Sequence, residues 1–371
     1  MDLARQRPPG NLLKWVIPLA AAILSAGAFI SVPLFTAPYV IILMTSILMY
    51  VILSVSWTVF CAPSQYFSLG IAAFFGVGIY TYTLLADALP WAPLPLLLFA
   101  AGISSSILAF FVGLTTLRIK GMYFAIFTFG LSELLRHFVM WWEVNMTGTV
   151  GRWIAIVEDV VVYRYMAVLA VITVLAGYLL RRSRYGLALR TIGDAESASE
   201  HVGVNASAVK IAVFAGSCFF TGAAGALIAT RWTYIDADFA FDPIRNMFTI
   251  MMSLFGGMDV LVGPILGAVA IGTISDVLLA KLPQISRLLL GLLLVAVVLF
   301  IPQGLAGLLT NVKWPRRGKR FPDSGGWGYA LFDYDAASDT FKPEGSGNSC
   351  GYACHTRVKA EDYIFHPYQR R

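Results

Sequence analysis

Residues 39–60 read YVIILMTSILMYVILSVSWTVF and contain no charged side chain over twenty-two consecutive positions. An α-helix rises about 1.5 Å per residue, so a stretch of this length crosses the ~30 Å hydrocarbon core of a bilayer. Comparable apolar stretches recur along the chain. The sequence therefore predicts an all-α membrane protein, a bundle of helices that cross the bilayer repeatedly.

The composition of the whole chain excludes most other protein classes. Of the 371 residues, 58% are apolar and 13% are charged, and the mean hydropathy is +0.73. Soluble domains contain about 25% charged residues, so soluble, disordered, collagen-like and small disulfide-rich proteins are excluded. An outer-membrane barrel would show short strands of alternating hydrophobicity. The net charge of +6 is typical of basic cytoplasmic loops, and no nucleic-acid partner is expected.

Residues 1–312 contain ten hydrophobic segments and form the predicted transmembrane domain of about ten helices. The segments are 14–31, 39–60, 68–86, 92–117, 121–142, 161–180, 208–230, 244–258, 261–281 and 286–302. The eighth is short and ends on Gly256 and Gly257, which is typical of a half-helix or re-entrant segment. The first follows basic residues as a signal peptide would, but its length favours an uncleaved helix. Residues 313–371 form a predicted short, irregular C-terminal extension.

The distribution of basic residues predicts that both termini face the cytoplasm. Cytoplasmic loops carry an excess of Lys and Arg, and the loop after the sixth segment contains Arg181, Arg182, Arg184 and Arg190. Counting six segments back and four forward places the other basic clusters on the same side. These clusters contain Arg5, Arg7, Lys14, Arg118, Lys120, Lys210, Lys313, Arg316, Arg317, Lys319 and Arg320.

Small and helix-breaking residues mark candidate parts of a translocation pathway. In the third segment, small residues recur at three- and four-residue steps, which allows another helix backbone to approach closely. Between the eighth and ninth segments, glycine and proline break helical regularity, which is tolerated against protein or a water-filled cavity. The candidates are Ser68, Gly70, Gly76, Gly256, Gly257, Gly263 and Pro264. Ordinary helix packing is the alternative at each position.

Glu133 and Arg136 lie three residues apart in the fifth segment, and hence on one face of a helix. An unpaired charge in hydrocarbon costs at least ~2.5–3.5 kcal/mol, so pairing or an aqueous cavity is expected. Glu133 is therefore either paired structurally or placed beside the pathway. Asp276 in the ninth segment raises the same question, and the sequence shows no partner for it.

The stretch between the sixth and seventh segments is longer than a simple connection requires. Residues 183–205 read SRYGLALRTIGDAESASEHVGVN. A connector between two helices needs only a few residues, whereas this stretch combines short helix formers with charges and ends on a glycine stop. Its amphipathic helical pattern predicts a docking element for a cytoplasmic partner.

Four stretches, in this order along the chain, resemble the motifs of branched-chain amino-acid ABC-transporter permeases. They are SLGIAAFFGVGIYT at 68–81, LRIKGMYFA at 117–125 with ELLR at 133–136, residues 183–205, and FGGMDVLVGPILGA at 255–268. The resemblance covers about residues 40–310. In this family the stretch at 183–205 couples the permease to its motor, and we call it the coupling segment.

The resemblance implies a subunit that works with other proteins in the bacterial inner membrane. Such permeases pair with a second permease subunit, receive solute from a periplasmic substrate-binding protein and dock two cytoplasmic ATPase subunits. This chain contains no Gly-x-x-x-x-Gly-Lys-[Ser/Thr] loop, so it is not expected to be an enzyme and its energy must come from the ATPases. Our hypothesis is that Asp194, Ala195, Glu196 and Gly203 position the coupling segment in a groove of the ATPase.

The expected solute is a branched-chain amino acid or a related small polar solute, such as urea or another amide. No cofactor is expected in the transmembrane domain. A secondary transporter is an alternative, and it would use intramembrane ionisable residues such as Glu133 and Asp276 for coupling.

Cys350, Cys354 and His355 in the extension resemble a covalent haem c attachment site. The usual spacing is two residues between the cysteines, and here it is three. Residues from Gly326 onward also resemble the C-terminal end of a family of small periplasmic haem cytochromes. Such haem is attached outside the cytoplasmic membrane, whereas the charges place the extension inside. A fusion remnant or disordered tail is therefore favoured, and a membrane-anchored haem electron carrier and a zinc or redox role are the alternatives.

Overall fold

The computed structural model describes residues 36–117, 119, 121–300, 304–310, 330–335 and 340–346, together with the single positions 27, 29, 31 and 33. The chain divides into two compact units, Met1–Leu309 and Thr310–Arg371. The first predicted segment, 14–31, lies almost entirely outside the described residues.

The described residues form thirteen helices, most of them in the first unit. In chain order these are α1 (Pro38–Ser64), α2 (Ile71–Ala88), α3 (Leu94–Thr116), α4 (Met122–Trp142), α5 (Asp159–Arg182), α6 (Arg184–Asp194), α7 (Glu196–His201), α8 (Ala206–Ala229), α9 (Ala237–Ala240), α10 (Ile244–Gly256), α11 (Val262–Lys281), α12 (Ser286–Phe300) and α13 (Gly304–Thr310). From the second predicted segment onward, the helix that each segment becomes agrees with it to within four residues at either end.

Six of the described helices are long and apolar enough to cross a membrane, namely α1, α2, α3, α5, α8 and α11. The prediction of an all-α polytopic membrane protein is confirmed, whereas the count of about ten crossings is not. In α4, the polar residues Glu133, Arg136 and His137 lower the hydropathy. α10 has 13 residues, and at about 1.5 Å per residue it does not span ~30 Å; the described part of α12 has 15 residues.

α8 is the most deeply buried of these six helices, and it packs between α2 and α3. Its small residues bring the backbones close together. A Cβ at Gly222 would lie 2.8 Å from the carbonyl oxygen of Ala101 in α3, and a Cβ at Gly78 of α2 would overlap the backbone of Gly222. Such approaches require glycine, because any side chain would displace a neighbouring backbone.

A small two-stranded sheet lies beyond the C-terminal end of α8. Strand β1 (Arg152–Trp153) pairs antiparallel with β2 (Tyr234–Ile235). The carboxylate of Glu143, in a π-helical turn after α4, is 1% exposed. It accepts hydrogen bonds from the Tyr80 hydroxyl and the Gly151 amide, both at 3.0 Å. These contacts tie the loop after α4 to α2, and the sheet ties it to the loop after α8.

The second unit contains an antiparallel pair of strands that the sequence did not predict. Strand β3 (Ala330–Asp335) pairs with β4 (Thr340–Ser346), and the register is irregular between Leu331 and Phe332. The expectation of an irregular extension was based on polar composition. The overall composition of the extension averages over its residues. It therefore does not reveal the β-forming residues that are concentrated in β3 and β4.

Candidate functional site

The coupling segment forms two short helices, α6 and α7. Ser183 caps α6, because its hydroxyl oxygen accepts a hydrogen bond from the Gly186 amide at 3.3 Å. Ala195 has an extended backbone and separates the two helices. Gly203, with φ of +85°, follows α7, and Asn205 then caps α8. The predicted helical pattern of this segment is therefore confirmed.

One face of α6 is docked on the bundle and the other is exposed. Leu189 and Ile192 are buried, and a Cβ at Gly193 would overlap the carbonyl oxygen of Pro63 near the end of α1. In contrast, Leu187 is 65% exposed and Val202, just after α7, is 79% exposed. The coupling segment thus presents apolar side chains outward while it is seated on α1.

A buried ion pair lies behind the coupling segment. The Lys210 ammonium in α8 lies 2.6 Å from Oε1 of Glu196 in α7, with side chains 2% and 15% exposed. The ammonium also donates to the hydroxyl oxygen of Tyr66 at 3.1 Å and to the carbonyl oxygen of Leu117 at 2.9 Å. Tyr66 in turn donates to the second Glu196 oxygen at 2.9 Å. All three ammonium hydrogens are satisfied, as a buried lysine requires.

These four residues come from different parts of the bundle. Glu196 belongs to the coupling segment, Lys210 to the first turns of α8, Tyr66 to the connection between α1 and α2, and Leu117 to the end of α3. The ion pair and its hydrogen bonds therefore connect the coupling segment directly to the start of α8, the α1–α2 connection and the end of α3.

The predicted coupling residues occupy two different positions. Asp194, Ala195 and Gly203 lie at the exposed surface, whereas the Glu196 carboxylate turns inward to Lys210. The sequence reasoning used Lys210 only as evidence for orientation and missed Tyr66. The sequence did contain a signal for this ion pair. Lys210 is a lone lysine at the start of an apolar helix, and such a charge needs a partner.

The connection between α1 and α2 is non-helical, and its backbone is satisfied by side chains. The indole of Trp57 donates to the carbonyl oxygen of Ser68 at 2.7 Å, and the Thr128 hydroxyl accepts from the Leu69 amide at 2.9 Å. Just after the connection, the Ala72 amide in the first turn of α2 donates to the Asn246 side chain of α10 at 2.6 Å. Irregular backbone within a membrane is tolerated where protein groups replace the missing hydrogen bonds.

The pathway candidates of the third segment lie in tight contacts. A Cβ at Gly70 would lie 3.0 Å from the carbonyl oxygen of Thr128, and one at Gly76 would overlap the Phe241 ring. Ser68 is buried and lines a small cavity beside Trp57. Gly70 and Gly76 thus admit close neighbours, whereas Ser68 faces a cavity.

The candidates of the eighth and ninth segments lie where α10 meets α11. α10 ends at Gly256, and Gly257 has φ of +95°. A Cβ at Gly263 would overlap the carbonyl oxygen of Gly257 and lie 2.8 Å from that of Gly256. Pro264 is buried in the first turn of α11, where its missing N–H is tolerated. These residues permit the two backbones to touch.

Both carboxylates that the sequence analysis placed within hydrophobic segments, Glu133 and Asp276, have partners. The Arg136 guanidinium lies 2.6 Å from Glu133 and 2.9 Å from Asp238, so the expected pairing of Glu133 is confirmed. Asp276 accepts a hydrogen bond from the Tyr39 hydroxyl of α1. The sequence could not show this partner, because the two residues are 237 positions apart.

The candidate haem residues Cys350, Cys354 and His355 lie outside the described residues. Among the residues that the structure describes, no group of three or more His, Cys, Asp or Glu side chains could hold a metal ion. Residues 301–366 match the family model of Cytochrome P460.

The transmembrane part of the chain is similar in sequence to known permease proteins. The chain is 25% identical over 331 residues to the high-affinity branched-chain amino acid transport system permease protein LivM of Escherichia coli (strain K12), covering 80% of this chain and 76% of that protein. The LivM protein of Salmonella typhimurium is 27% identical over 70% of this chain and 68% of its own length. The ribose import permease protein RbsC of Haemophilus influenzae is 26% identical over 30% of this chain and 36% of its own.

No solved structure matches the chain. The family model described as branched-chain amino acid transport system, permease component, matches residues 39–298, which include all of α1 but its first residue, α2 to α11 and the whole coupling segment. The chain therefore belongs to this family, and it is a multi-pass membrane permease component of an ABC transporter.

Proposed function

We propose that this chain is the membrane subunit of an ATP-driven importer of branched-chain amino acids or a related small polar solute. It would pair with a second permease subunit, receive solute from a periplasmic binding protein and dock two separate ATPases. The LivM relatives, which cover most of the chain, support the amino-acid solute. The match to the ribose permease covers less than a third of the chain and supports a sugar more weakly.

The coupling segment is the observation that carries this proposal. Its outer surface exposes Leu187 and Val202, which suit docking into a groove of another subunit. Its inner surface holds the ion pair of Glu196 with Lys210, so a displacement of α7 is passed to α8. The arginines at the end of α5 and in α6 support a cytoplasmic position for this segment, with both termini on the same side.

The proposal predicts that Gly203→Phe abolishes ATPase docking and transport but leaves insertion of the chain into the membrane intact. A Cβ at Gly203 meets no described atom within 4 Å, so the phenylalanine would disturb only the exposed surface and the local backbone, where φ is +85°. We expect membrane insertion at the wild-type level, loss of copurifying ATPase subunits, and loss of ATP-driven leucine uptake in proteoliposomes. The wild-type complex should take up leucine with ATP and binding protein, and an ion gradient alone should not drive it.

Gly148→Phe is the matched control for this experiment. Gly148 also has a positive φ, of +70°, and no described neighbour within 4 Å of a Cβ, but it follows α4 away from the coupling segment. The Gly148→Phe protein should therefore still copurify with the ATPase subunits. Leucine transport that survives both Gly203→Phe and Glu196→Lys would show that the coupling segment has been assigned wrongly.

The C-terminal extension is proposed to carry no covalently bound haem. Its match to Cytochrome P460 supports common ancestry with a haem protein. However, Cys350 and Cys354 have three residues between them, and the proposed orientation keeps them in the cytoplasm. A haem-stained denaturing gel of the purified protein should show no band at its mass. A covalent haem band would overturn this proposal and the cytoplasmic position of the C-terminus.

A further inference from the structure

Helix α4 packs against α2 and α9 on one side, and its other side is exposed. The buried residues Phe124, Thr128 and Leu131 recur at three- and four-residue steps and mark the packed side. Six exposed residues recur at the same steps on the opposite side, which we call the outer face of α4. They are Tyr123, Ile126, Gly130, Leu134, His137 and Trp141. One whole face of this 21-residue helix is therefore left open.

An ion cluster adjoins the outer face. The Arg136 guanidinium is shared between Glu133 and Asp238 of α9, and two carboxylates with one guanidinium leave a formal charge of −1. The Asp238 side chain is 60% exposed, whereas those of Glu133 and Arg136 are each 27% exposed. Glu133 lies one helical turn from both Gly130 and His137, so the cluster borders the outer face along its length.

The ion cluster lies near the middle of a membrane-spanning helix in depth. Phe241, next to the end of α9, stacks on Tyr80 with ring centroids 5.8 Å apart, and a Cβ at Gly76 would overlap its ring. Gly76 and Tyr80 are the sixth and tenth of the 18 residues of α2, which is long and apolar enough to cross a membrane. A carboxylate exposed to hydrocarbon at this depth is strongly unfavourable. Lipid alone is therefore a poor neighbour for Asp238.

We propose that the outer face of α4, together with Asp238, binds the second permease subunit of the transporter. This inference rests on the proposed function and names the surface at which the two permeases meet. The excess negative charge of the ion cluster is complemented by a basic side chain, and the exposed Gly130 lets another helix backbone approach closely. The partner element is thus a membrane helix that presents a basic side chain to Asp238 and packs its backbone on Gly130.

Polar and apolar groups on this surface together favour a second permease over other occupants. The exposed His137 ring forms no hydrogen bond with a described residue, and lipid chains supply neither a partner for it nor a charge for Asp238. A water-filled passage would hydrate Asp238 but would leave Ile126, Leu134 and Trp141 facing water. A second copy of this chain would bring the same negative excess and is a poor complement.

Reversing the charge of Asp238 tests the inference in the assembled transporter. The tagged full chain would be expressed in its own host and purified, and a second chain of the same permease family would be identified and quantified by mass spectrometry. We expect Asp238→Lys to lower the copurifying amount of this second chain roughly tenfold or more, because the lysine repels the basic side chain of the partner.

Asp159→Lys is the matched control. The Asp159 side chain is 49% exposed and also pairs with one arginine, Arg231, but it lies in the first turn of α5 and outside the outer face of α4. The Asp159→Lys protein should copurify the wild-type amount of the second permease.

Photocrosslinking keeps the inference testable if Asp238→Lys does not reach the membrane. A p-benzoylphenylalanine placed at Leu134, which is 64% exposed on the outer face, should crosslink to the second permease in membranes of the same host. The same residue placed at Phe111 of α3, which is 61% exposed, should give no such adduct. Mass spectrometry of the adduct identifies the crosslinked chain.

Different results contradict the inference and the proposed function. If no second permease copurifies with the wild-type chain, the proposed pairing is overturned, and the inference falls with it. If the second permease copurifies equally with wild type and Asp238→Lys, the inference is overturned and the proposed function stands. The same holds if Leu134 crosslinks only to lipid or to a second copy of this chain.

Discussion

Replacing Lys210 with methionine should destabilise the folded permease by about 3–5 kcal/mol, because it removes one partner of a buried ion pair. Methionine fills a similar volume, so the loss comes from the charge. The Glu196 carboxylate, 15% exposed, would keep its charge without the ammonium, and Tyr66 and Leu117 would lose a donor. The free energy of unfolding can be measured by titration of detergent-solubilised protein with sodium dodecyl sulfate.

Two further variants separate the ion pair from a general effect of losing a lysine. Lys281→Met at the exposed C-terminal end of α11 should change the free energy of unfolding by no more than about 0.5 kcal/mol. The double variant Lys210→Met with Glu196→Gln should recover much of the lost stability, because it removes the Glu196 charge together with the ammonium that neutralises it. A Lys210→Met protein as stable as the Lys281→Met protein would contradict the described ion pair.

The Gly263→Ala variant should lose at least about 3 kcal/mol of stability, at the upper end of what an added methyl group costs in a packed interior. Its Cβ would overlap the carbonyl oxygen of Gly257 and lie 2.8 Å from that of Gly256. These are backbone atoms, so no side chain can rotate away, and α10 and α11 would have to separate. The yield of monodisperse protein in gel filtration and the unfolding titration both report this loss.

Glycines in open surroundings provide the comparison for Gly263. A Cβ at Gly130 in α4 or at Gly291 in α12 meets no described atom within 4 Å. Alanine there should stabilise the protein by about 0.5–1 kcal/mol, because alanine favours the helical backbone. If Gly263→Ala behaves like these two variants, the backbones of α10 and α11 do not touch.

The elements that hydropathy and local spacing determine were predictable from the sequence. The apolar runs gave the helices, and the length of α10 followed from the short eighth segment. The pairing of Glu133 with Arg136 followed from a spacing of three residues on one helix. In each case the physical cause operates between residues that are close along the chain.

The partners of Lys210 and Asp276 could not be predicted, because they depend on how distant helices meet. Tyr66 is 144 positions from Lys210, and Tyr39 is 237 positions from Asp276. A charged residue in an apolar segment predicts that a partner exists. The sequence alone does not identify which of the many polar residues is that partner.

Helix α8 is anchored at both of its ends. The helix has 24 residues, or about 36 Å. It is fixed by the Lys210 ion pair near its start, and the β1–β2 sheet holds the loop just beyond its end. We expect α8 to act as a rigid strut, so that a displacement of α7 would be passed along its whole length to the β1–β2 sheet. On the proposed function, the two ends of this helix would then move together and not one at a time.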